Sequence, residues 1–314
     1  MRCVLLWNPV SGRDRLLRAE QIRRVAESLI NLGHPVEIIP TTGPGSASVQ
    51  ARNAAENGAE NVFACGGDGT VHDVLQGLAR EDSEPTAMLG IIPLGSANAL
   101  ARHLRLSLDP ATAALQQIHG TPRTITVGKV NFGETQRYFA VMAGAGADGL
   151  LANQVHHAQK SRLGRFAYYL RAARLFLTQR FQAFEIEFIE AASGEHKTCK
   201  TVSVMATRVD NLGGLFSRLV GRQSGTEDAH LRLVIVSPPA VISLPLWFAL
   251  GWMRLHPVNP LVRFVEVTEF SCRLLSGNAP HIQADGEWLG LAPMRVSLVP
   301  NAVRLLVPLE SGAA

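Results

Sequence analysis

A glycine-rich segment, Cys65-Gly66-Gly67-Asp68-Gly69-Thr70, combines residue types and spacing that suit phosphate binding. Three glycines within four residues let the backbone approach a ligand closely and aim successive N–H groups at it. An apolar run precedes the segment and a helical pattern follows it, so a helix N-terminus favours an anion at the same place. The segment therefore predicts a phosphate-binding loop. A tight strand-to-helix turn capped by Asp68 is the purely structural alternative.

A second loop of similar composition is Pro93-Leu94-Gly95-Ser96-Ala97-Asn98. It also follows an apolar strand pattern and contains a glycine and a hydroxyl group before a helix begins. We predict a second helix N-terminus that is ready to bind an anion beside the first. The sequence contains no GxxxxGK[ST] motif, so this is not an ordinary P-loop protein.

Alternating strand and helix patterns in the first part of the chain must position these loops. We predict strands at 3–7, 36–39, 61–65 and 88–92, and helices at about 15–32, 47–57, 70–80 and 97–105. This alternation is typical of a doubly wound parallel sheet. Ligands of such sheets bind at the carboxyl ends of the strands, and the loops at Asn8, Thr41, Gly66 and Gly95 all fall there.

After about residue 122 the pattern changes to alternating β-type runs, which predict a mainly antiparallel second domain. The predicted strands are 124–130, 137–142, 184–189, 200–206, 231–236, 263–270, 281–284 and 295–299. One helix is predicted at about 160–180, and the last apolar segment, 303–307, fits a strand of either domain. We place the domains at residues 1–122 and 123–314.

Composition narrows the class of protein. A length of 314 residues suits about two domains, and 46% apolar with 18% charged residues excludes disorder, collagen and coiled coil. The longest apolar stretch, 241–253, is too short to span a bilayer. The N-terminus lacks the apolar region of a secretory signal, so we expect a cytoplasmic protein. The four cysteines form no CxxC pair, so the sequence indicates neither a disulfide framework nor a zinc site. The net charge is +4 and no nucleic-acid-binding motif is present, so we expect no nucleic-acid partner.

Five short motifs occur in order along the chain: Asn8-Pro9-Val10-Ser11-Gly12, Thr41 through Ala47, Gly66 through Thr70, Pro93 through Asn98, and Asp285-Gly286-Glu287. Together they resemble the diacylglycerol kinase catalytic domain family, which includes bacterial lipid kinases and sphingosine kinases. The resemblance extends over nearly the whole chain. It implies an N-terminal α/β nucleotide domain, a C-terminal antiparallel β-sandwich lipid domain, and ATP held in the cleft between them.

The resemblance also implies roles for particular residues. The family's nucleotide contacts fall on Asn8, Thr41, Gly66, Gly67, Asp68, Gly69, Thr70, Val71, His72, Asp73 and Ser96. Asp68 would help to hold Mg²⁺ and the phosphates. Glu287 would be the base that deprotonates the acceptor hydroxyl, and its local alternative is an exposed glutamate after an Asp285-Gly286 turn. Phosphoryl transfer depends mostly on positioning and charge stabilisation, to which such a base adds.

Some bacterial members hold a structural Mg²⁺ with one aspartate and two backbone carbonyls. The corresponding residues here are Asp228, Gly225 and His230. The usual glycine of that segment is Ala229, but carbonyl ligands do not depend on the side chain, so the site could persist. A second departure is Ala99, where many bacterial members have aspartate.

The segment Gly144-Ala145-Gly146-Ala147-Asp148-Gly149 matches GxGxxG. A dinucleotide site would need an acidic residue about 20 positions later, and residues 165–174 contain none. We therefore interpret this segment as the family's glycine-rich crossing near the acceptor lipid. Sphingosine kinases carry an acidic residue two positions after the counterpart of Asp148, and Leu150 stands there in this chain, which disfavours an amino-lipid.

Two segments suggest contact with a membrane. Residues 160–181 combine six basic side chains with interleaved aromatic and leucine residues, and such a helix can lie on an anionic bilayer. A helix packed on its own domain with solvated arginines is the alternative. The apolar run 241–253 is either a second contact, a lid over lipid tails or a buried helix. The pair His156-His157 fits a surface helix better than a metal site.

The sequence thus predicts a lipid kinase that uses ATP and Mg²⁺ and associates peripherally with the inner face of the membrane. Diacylglycerol or a related glycerolipid is the leading acceptor, and a sphingoid or ceramide-type lipid is second. An NAD kinase remains an alternative because that superfamily also uses Gly-Gly-Asp-Gly-Thr. A non-catalytic lipid-binding member is a further alternative, and a homodimer is left open.

Overall fold

The computed structural model describes residues 1–9, 15–156, 181–209, 230–253, 260–273 and 277–308. The chain divides into two compact units. The N-terminal unit comprises Met1–Val127 together with Val299–Ala314, and the C-terminal unit comprises Gly128–Leu298. The last part of the chain therefore returns to the first unit.

The N-terminal unit is built on a parallel sheet, as predicted. Its first four strands are β1 (Cys3–Trp7), β2 (Val36–Pro40), β3 (Asn61–Gly66) and β4 (Met88–Pro93), in the order β4-β3-β1-β2. The end of β15 (Met294–Val307) runs parallel to β4, with Arg304 opposite Met88. The residues of β3 and β4 are buried throughout, which explains why both strands are almost continuously apolar.

Five helices of the N-terminal unit are described: α1 (Arg15–Asn31), α2 (Ser46–Glu56), α3 (Asp68–Leu78), α4 (Ala99–His103) and α5 (Pro110–Ile118). One side of α1 packs into the core through Ile22, Val25 and Leu29. We did not predict α5. It begins at a local signal, since Asp109 accepts the backbone N–H of Thr112 at 2.9 Å and Pro110 follows it.

A buried glutamine joins α5 to the sheet. Gln117 accepts the backbone N–H of Ile91 and donates to the carbonyl of Ile91, both at 2.7 Å. It also donates to the carbonyl of Ala113 at 2.8 Å. The side chain thus supplies hydrogen bonds to β4 beyond the two residues at which β15 pairs with it.

The C-terminal unit is antiparallel in every strand pairing described for it. Its strands include β7 (Met142–Gly146), β8 (Phe184–Glu190), β9 (His196–Thr201), β10 (Ser203–Thr207), β11 (Leu231–Val236), β12 (Val262–Arg273), β13 (His281–Ala284) and β14 (Glu287–Leu291). The order is β14-β13-β7-β10-β11-β12, and β8 pairs with both β12 and β9. A hairpin of β5 (Thr121–Phe132) and β6 (Thr135–Phe139) precedes them.

The core of this unit consists of the inward-facing side chains of these strands, among them Phe139, Phe184, Phe188, Phe270 and Ile235. In β8 buried and partly exposed residues alternate, as expected for a strand with one face in the core.

Two helices are described in the C-terminal unit. Helix α6 (Ala147–His156) follows β7 directly, and of its residues we had expected only His156 to lie on a helix. Helix α7 (Ala240–Trp252) contains Pro245 and includes most of the apolar run 241–253. It buries Leu244 and Trp247 and exposes Val241 and Ile242, so it is only partly buried. The predicted helix at 160–180 lies wholly outside the described residues.

Within the part of the chain that the structure describes, no helix is both long and apolar enough to cross a membrane.

Candidate active site

The predicted nucleotide residues of the N-terminal unit lie at one edge of its sheet. Trp7 is in register with Pro40 of β2 and Cys65 of β3, and Gly66 is in register with Pro93 of β4. The next residues of the four strands are therefore neighbours at the carboxyl edge. Asn8 donates its N–H to the carbonyl of Cys65 at 3.4 Å, and Thr41 donates its N–H to the carbonyl of Trp7 at 2.8 Å.

The two glycine loops contact each other through backbone atoms. A methyl group at Gly67 would lie 3.2 Å from the Cα of Gly95, and a methyl at Gly95 would overlap the Cα of Gly67. A methyl at Gly66 would overlap the side chain of Thr70. Close packing therefore favours glycine at Gly66, Gly67 and Gly95. Gly67 precedes α3 without a side-chain cap, which leaves the first turn of that helix suited to an anion.

The carboxylate of Asp68 ties the first glycine loop to the second. It accepts the backbone N–H of Asn98 at 2.9 Å and that of Ala99 at 2.6 Å. These are the groups that we expected to bind an anion at the start of α4. That prediction is wrong for these two N–H groups, because a protein carboxylate already accepts from them. A carboxylate oxygen accepts more than one hydrogen bond, so this contact is compatible with a further role for Asp68.

The other predicted nucleotide residues differ in accessibility. Gly69 and Ser96 are exposed, and Asp73 is half-buried. The side chains of Thr70, Val71 and His72 are buried, with His72 only 1% exposed. These buried side chains support α3 from within the unit.

Glu287 follows a tight hairpin turn in the C-terminal unit. Ala284 of β13 pairs with Glu287 of β14, which leaves Asp285 and Gly286 as a two-residue turn. Both have positive φ, 49° and 84°, the pattern that Asp-Gly favours in type I′ hairpins. The turn of the local alternative is therefore present, but Glu287 is half-buried at the start of β14 rather than exposed.

Asp285 has a role that we did not predict from the sequence. Its carboxylate accepts three successive backbone N–H groups, those of Ala140 at 3.0 Å, Val141 at 2.9 Å and Met142 at 3.0 Å. The bend between β6 and β7 thus forms a small anion-binding nest that the carboxylate fills. Asp285 anchors the turn that precedes Glu287.

The predicted structural metal segment is described only at one end. Gly225 and Asp228 lie outside the described residues, and His230 is half-buried immediately before β11. Among the side chains that the structure describes, no group of three or more His, Cys, Asp or Glu residues is arranged to hold a metal ion.

The GxGxxG segment is not a dinucleotide site. It does join a strand, β7, to a helix, α6, but β7 pairs antiparallel with β10 and β13 rather than within a parallel βαβ unit. Its glycines are explained by packing. A methyl at Gly144 would overlap the carboxylate of Asp148, and a methyl at Gly149 would overlap the carbonyl oxygen of His281.

Comparison with known proteins agrees with this architecture. Residues 2–130 match the family model of the diacylglycerol kinase catalytic domain, and residues 141–307 match that of the YegS C-terminal NAD kinase beta sandwich-like domain. The fold and the catalytic-domain match define the chain as a kinase.

Curated relatives match nearly the full length. A diacylglycerol kinase of Bacillus subtilis (strain 168) is 32% identical over 310 residues, covering 98% of this chain and 97% of the relative. A diacylglycerol kinase of Staphylococcus saprophyticus is 27% identical over 308 residues, covering 98% and 95%. The chain belongs to the diacylglycerol kinase family, and the predicted family and fold class are confirmed.

Solved structures show the same fold. A crystal structure from Bacillus anthracis str. Sterne superimposes with a TM-score of 0.72 at 20% identity, covering 98% of this chain and 97% of that one. The crystal structure of a diacylglycerol kinase from the same strain gives a TM-score of 0.67 at 18% identity, covering 98% and 96%.

Proposed function

We propose that this lipid kinase transfers the γ-phosphate of ATP to a hydroxyl group of diacylglycerol or a related glycerolipid. The observation that carries the proposal is that both motifs are present, each anchored within its own unit. The glycine loop of the N-terminal unit is tied to the second loop by Asp68. The hairpin of the C-terminal unit presents Glu287 directly after a turn anchored by Asp285.

The residues of the sheet edge suit ATP and Mg²⁺. Backbone N–H groups at the start of α3 favour phosphate, and Asp68 supplies the hard oxygen donors that Mg²⁺ prefers. Asn8, Thr41 and Ser96 are the adjoining polar groups for the rest of the nucleotide. Bound Mg²⁺ would neutralise the charge that develops on the transferred phosphoryl group. The structural Mg²⁺ expected at Gly225, Asp228 and His230 remains a separate prediction.

Glu287 is the proposed base. Its carboxylate takes the proton of the lipid hydroxyl as the hydroxyl oxygen bonds to the γ-phosphorus and the bond from that phosphorus to the bridging oxygen of ADP breaks. The products are the phosphorylated lipid and ADP, and Glu287 later releases the proton to solvent. A carboxylate that must act on a hydroxyl requires a fixed position, and a two-residue hairpin turn limits its movement.

The acceptor is proposed from the relatives. Those reported above are named diacylglycerol kinase and align over nearly the entire chain, whereas Leu150 disfavours an amino-lipid. The C-terminal domain matches a family whose β-sandwich is named as NAD kinase-like. NAD is therefore the alternative acceptor that needs a direct comparison.

Phosphate transfer from labelled Mg-ATP tests the proposal. Diacylglycerol, monoacylglycerol, sphingosine and ceramide are presented in mixed micelles, and NAD is presented in detergent-free buffer. We expect labelled phosphatidic acid as the main product. Label on sphingosine, ceramide or NAD instead would assign a different acceptor. Intact ATP binding without any labelled product would favour a non-catalytic member of the family.

One substitution tests the base. Glu287→Gln keeps the shape of the side chain but accepts no proton, so turnover should be abolished while ATP affinity stays within about threefold. Glu134→Gln, at the exposed turn between β5 and β6, is the matched control and should keep full activity. Undiminished turnover by Glu287→Gln would remove Glu287 from this role.

We further propose peripheral contact with an anionic membrane surface. Helix α7 leaves Val241 75% exposed and Ile242 55% exposed near its start, and Met253, which follows its other end, is 55% exposed. Exposed apolar side chains of this kind can enter the interface of a bilayer. Binding to anionic vesicles should weaken in the double variant Val241→Ser/Ile242→Ser. It should not change in Val49→Ser, which alters a similarly exposed valine of α2. Equal binding by both variants would contradict a contact through α7.

A further inference from the structure

Asp148 is a half-buried acid without a role in the proposed transfer. It lies in the first turn of α6 and its carboxylate accepts a hydrogen bond from the side-chain amide of Gln283. Burial raises its pKa to about 6 although the bond from Gln283 acts in the opposite direction. Buried ionisable groups are costly unless they are hydrogen-bonded, so its presence here requires an explanation.

Gln283 connects Asp148 to the turn that precedes Glu287. This side chain is fully buried in β13, and its Oε1 accepts the backbone N–H of Gly286 at 2.8 Å. Only the amide oxygen can accept that N–H, so the Nε2 group must face Asp148. The atom that it faces must therefore be a hydrogen-bond acceptor, which a carboxylate oxygen is.

The surrounding backbone is shaped for this contact. A side chain at Gly144 would overlap the carboxylate of Asp148, and a side chain at Gly149 would overlap the backbone of His281 at the start of β13. Helix α6 therefore lies against β7 and β13 at a distance that only glycines allow. An unbroken series of hydrogen bonds therefore runs from Asp148 in α6 through the side chain of Gln283 to the backbone of Gly286.

We propose that Asp148 and Gln283 are positioning residues that hold the Asp285-Gly286 turn and thereby place the carboxylate of Glu287. The importance of this placement for catalysis rests on the proposed function. Asp285 anchors one side of the turn to the bend at Ala140–Met142. Gln283 anchors the other side through Gly286. Two independent anchors on a two-residue turn leave the following side chain little freedom.

Two variants with the same number of side-chain heavy atoms separate hydrogen bonding from charge. Asp148→Asn keeps an oxygen that accepts from Gln283, whereas Asp148→Leu offers no acceptor. We expect Asp148→Leu to lower kcat by about ten- to a hundredfold with the KM for ATP within about twofold, because a misplacement near 1 Å has this effect. Asp148→Asn should retain kcat within about threefold. Gln283→Met, which removes both hydrogen bonds, should behave like Asp148→Leu and replaces it if that variant does not fold.

Backbone hydrogen exchange of residues 281–291 tests the placement without any assay of activity. Faster exchange of this segment in Asp148→Leu and Gln283→Met, but not in Asp148→Asn, would support the proposal. Unchanged exchange would overturn it, as would undiminished kcat. Equal loss of kcat in Asp148→Asn and Asp148→Leu would also overturn it, because the charge rather than the hydrogen bond would then matter. A wild-type protein that phosphorylates no lipid would refute the proposed function, and the exchange measurement would still decide the positioning role.

Discussion

The backbone N–H of Val141 donates to the carboxylate of Asp285 at 2.9 Å, although the two residues are 144 positions apart in the chain. The adjacent N–H groups of Ala140 and Met142 donate to the same carboxylate, and the N–H of Asp285 donates to the carbonyl of Met142 at 2.7 Å. One side chain thus accepts hydrogen bonds from three backbone N–H groups of a bend in which Ala140 and Val141 are buried. Asp285 of the Asp-Gly-Glu motif thus anchors the turn that precedes Glu287.

Replacing Asp285 by alanine should destabilise the C-terminal unit. Three N–H groups would lose their acceptor, and we expect the free energy of unfolding to fall by about 2–4 kcal/mol. Urea denaturation measures this loss. Glu134→Ala, which alters an exposed acid of the same unit, should change the value by no more than about 0.5 kcal/mol. Equal stability of the two variants would contradict a stabilising role of the Asp285 carboxylate.

Removing the carboxylate of Asp68 should weaken both the fold of the loops and nucleotide binding. In Asp68→Ala the N–H groups of Asn98 and Ala99 lose their acceptor, so unfolding should become easier by about 1–3 kcal/mol. Because the loop that carries Ser96 is then untethered, ATP affinity measured by calorimetry should fall about tenfold or more. Asp82→Ala, at an exposed acid of the same unit, serves as the control. Wild-type affinity in Asp68→Ala would show that the tether is dispensable.

A methyl group added between the two glycine loops should be poorly tolerated. The new Cβ of Gly95→Ala would overlap Gly67 and lie 2.6 Å from the Oδ1 atom of Asn98, and such overpacking costs about 1–3 kcal/mol. Gly43→Ala is the matched comparison, since nothing lies within 4 Å of its new methyl group. Thermal unfolding should show a lower Tm for Gly95→Ala only. A similar Tm in both variants would mean that the loops separate easily.

The half-buried Asp148 predicts a dependence of stability on pH. Burial raises its pKa in the folded protein to about 6, whereas an unfolded aspartate titrates near 4. Between these values the folded state binds more protons, so this group lowers stability progressively as the pH rises from about 4 to about 6. Asp148→Asn removes the effect. Relative to the wild type, its free energy of unfolding should therefore increase between pH 4.5 and pH 7.5, by about 1–3 kcal/mol. Urea denaturation at the two values measures the difference, and a constant or decreasing difference would contradict the prediction.

Local patterns in the sequence were sufficient to predict most of the helices and strands. The apolar runs of β1, β3 and β4 and the glycine loop before α3 follow short-range rules, because strand burial and helix starts depend on neighbouring residues. The Asp285-Gly286 turn was evident for the same reason, since few residue pairs adopt positive φ twice in succession. Short or atypical elements were missed, namely α5, β7, most of α6, β9 and β14.

The partners of the buried polar groups could not be read from such patterns. Asp68 looked like a helix cap or a phosphate-site residue, yet its carboxylate binds a loop 30 positions away. Gln283 carried no signal at all, although it connects Asp148 with Gly286.

Residue types and spacing by themselves predicted the two fold classes and the phosphate-binding loop, and the resemblance of five motifs to a known family implied the family and the other candidate groups for chemistry. Only the tertiary structure decided which of those groups are already engaged by the protein. The physical reason is that a side-chain hydrogen bond depends on distance and direction in space, and folding brings together donors and acceptors whose separation along the chain has no pattern.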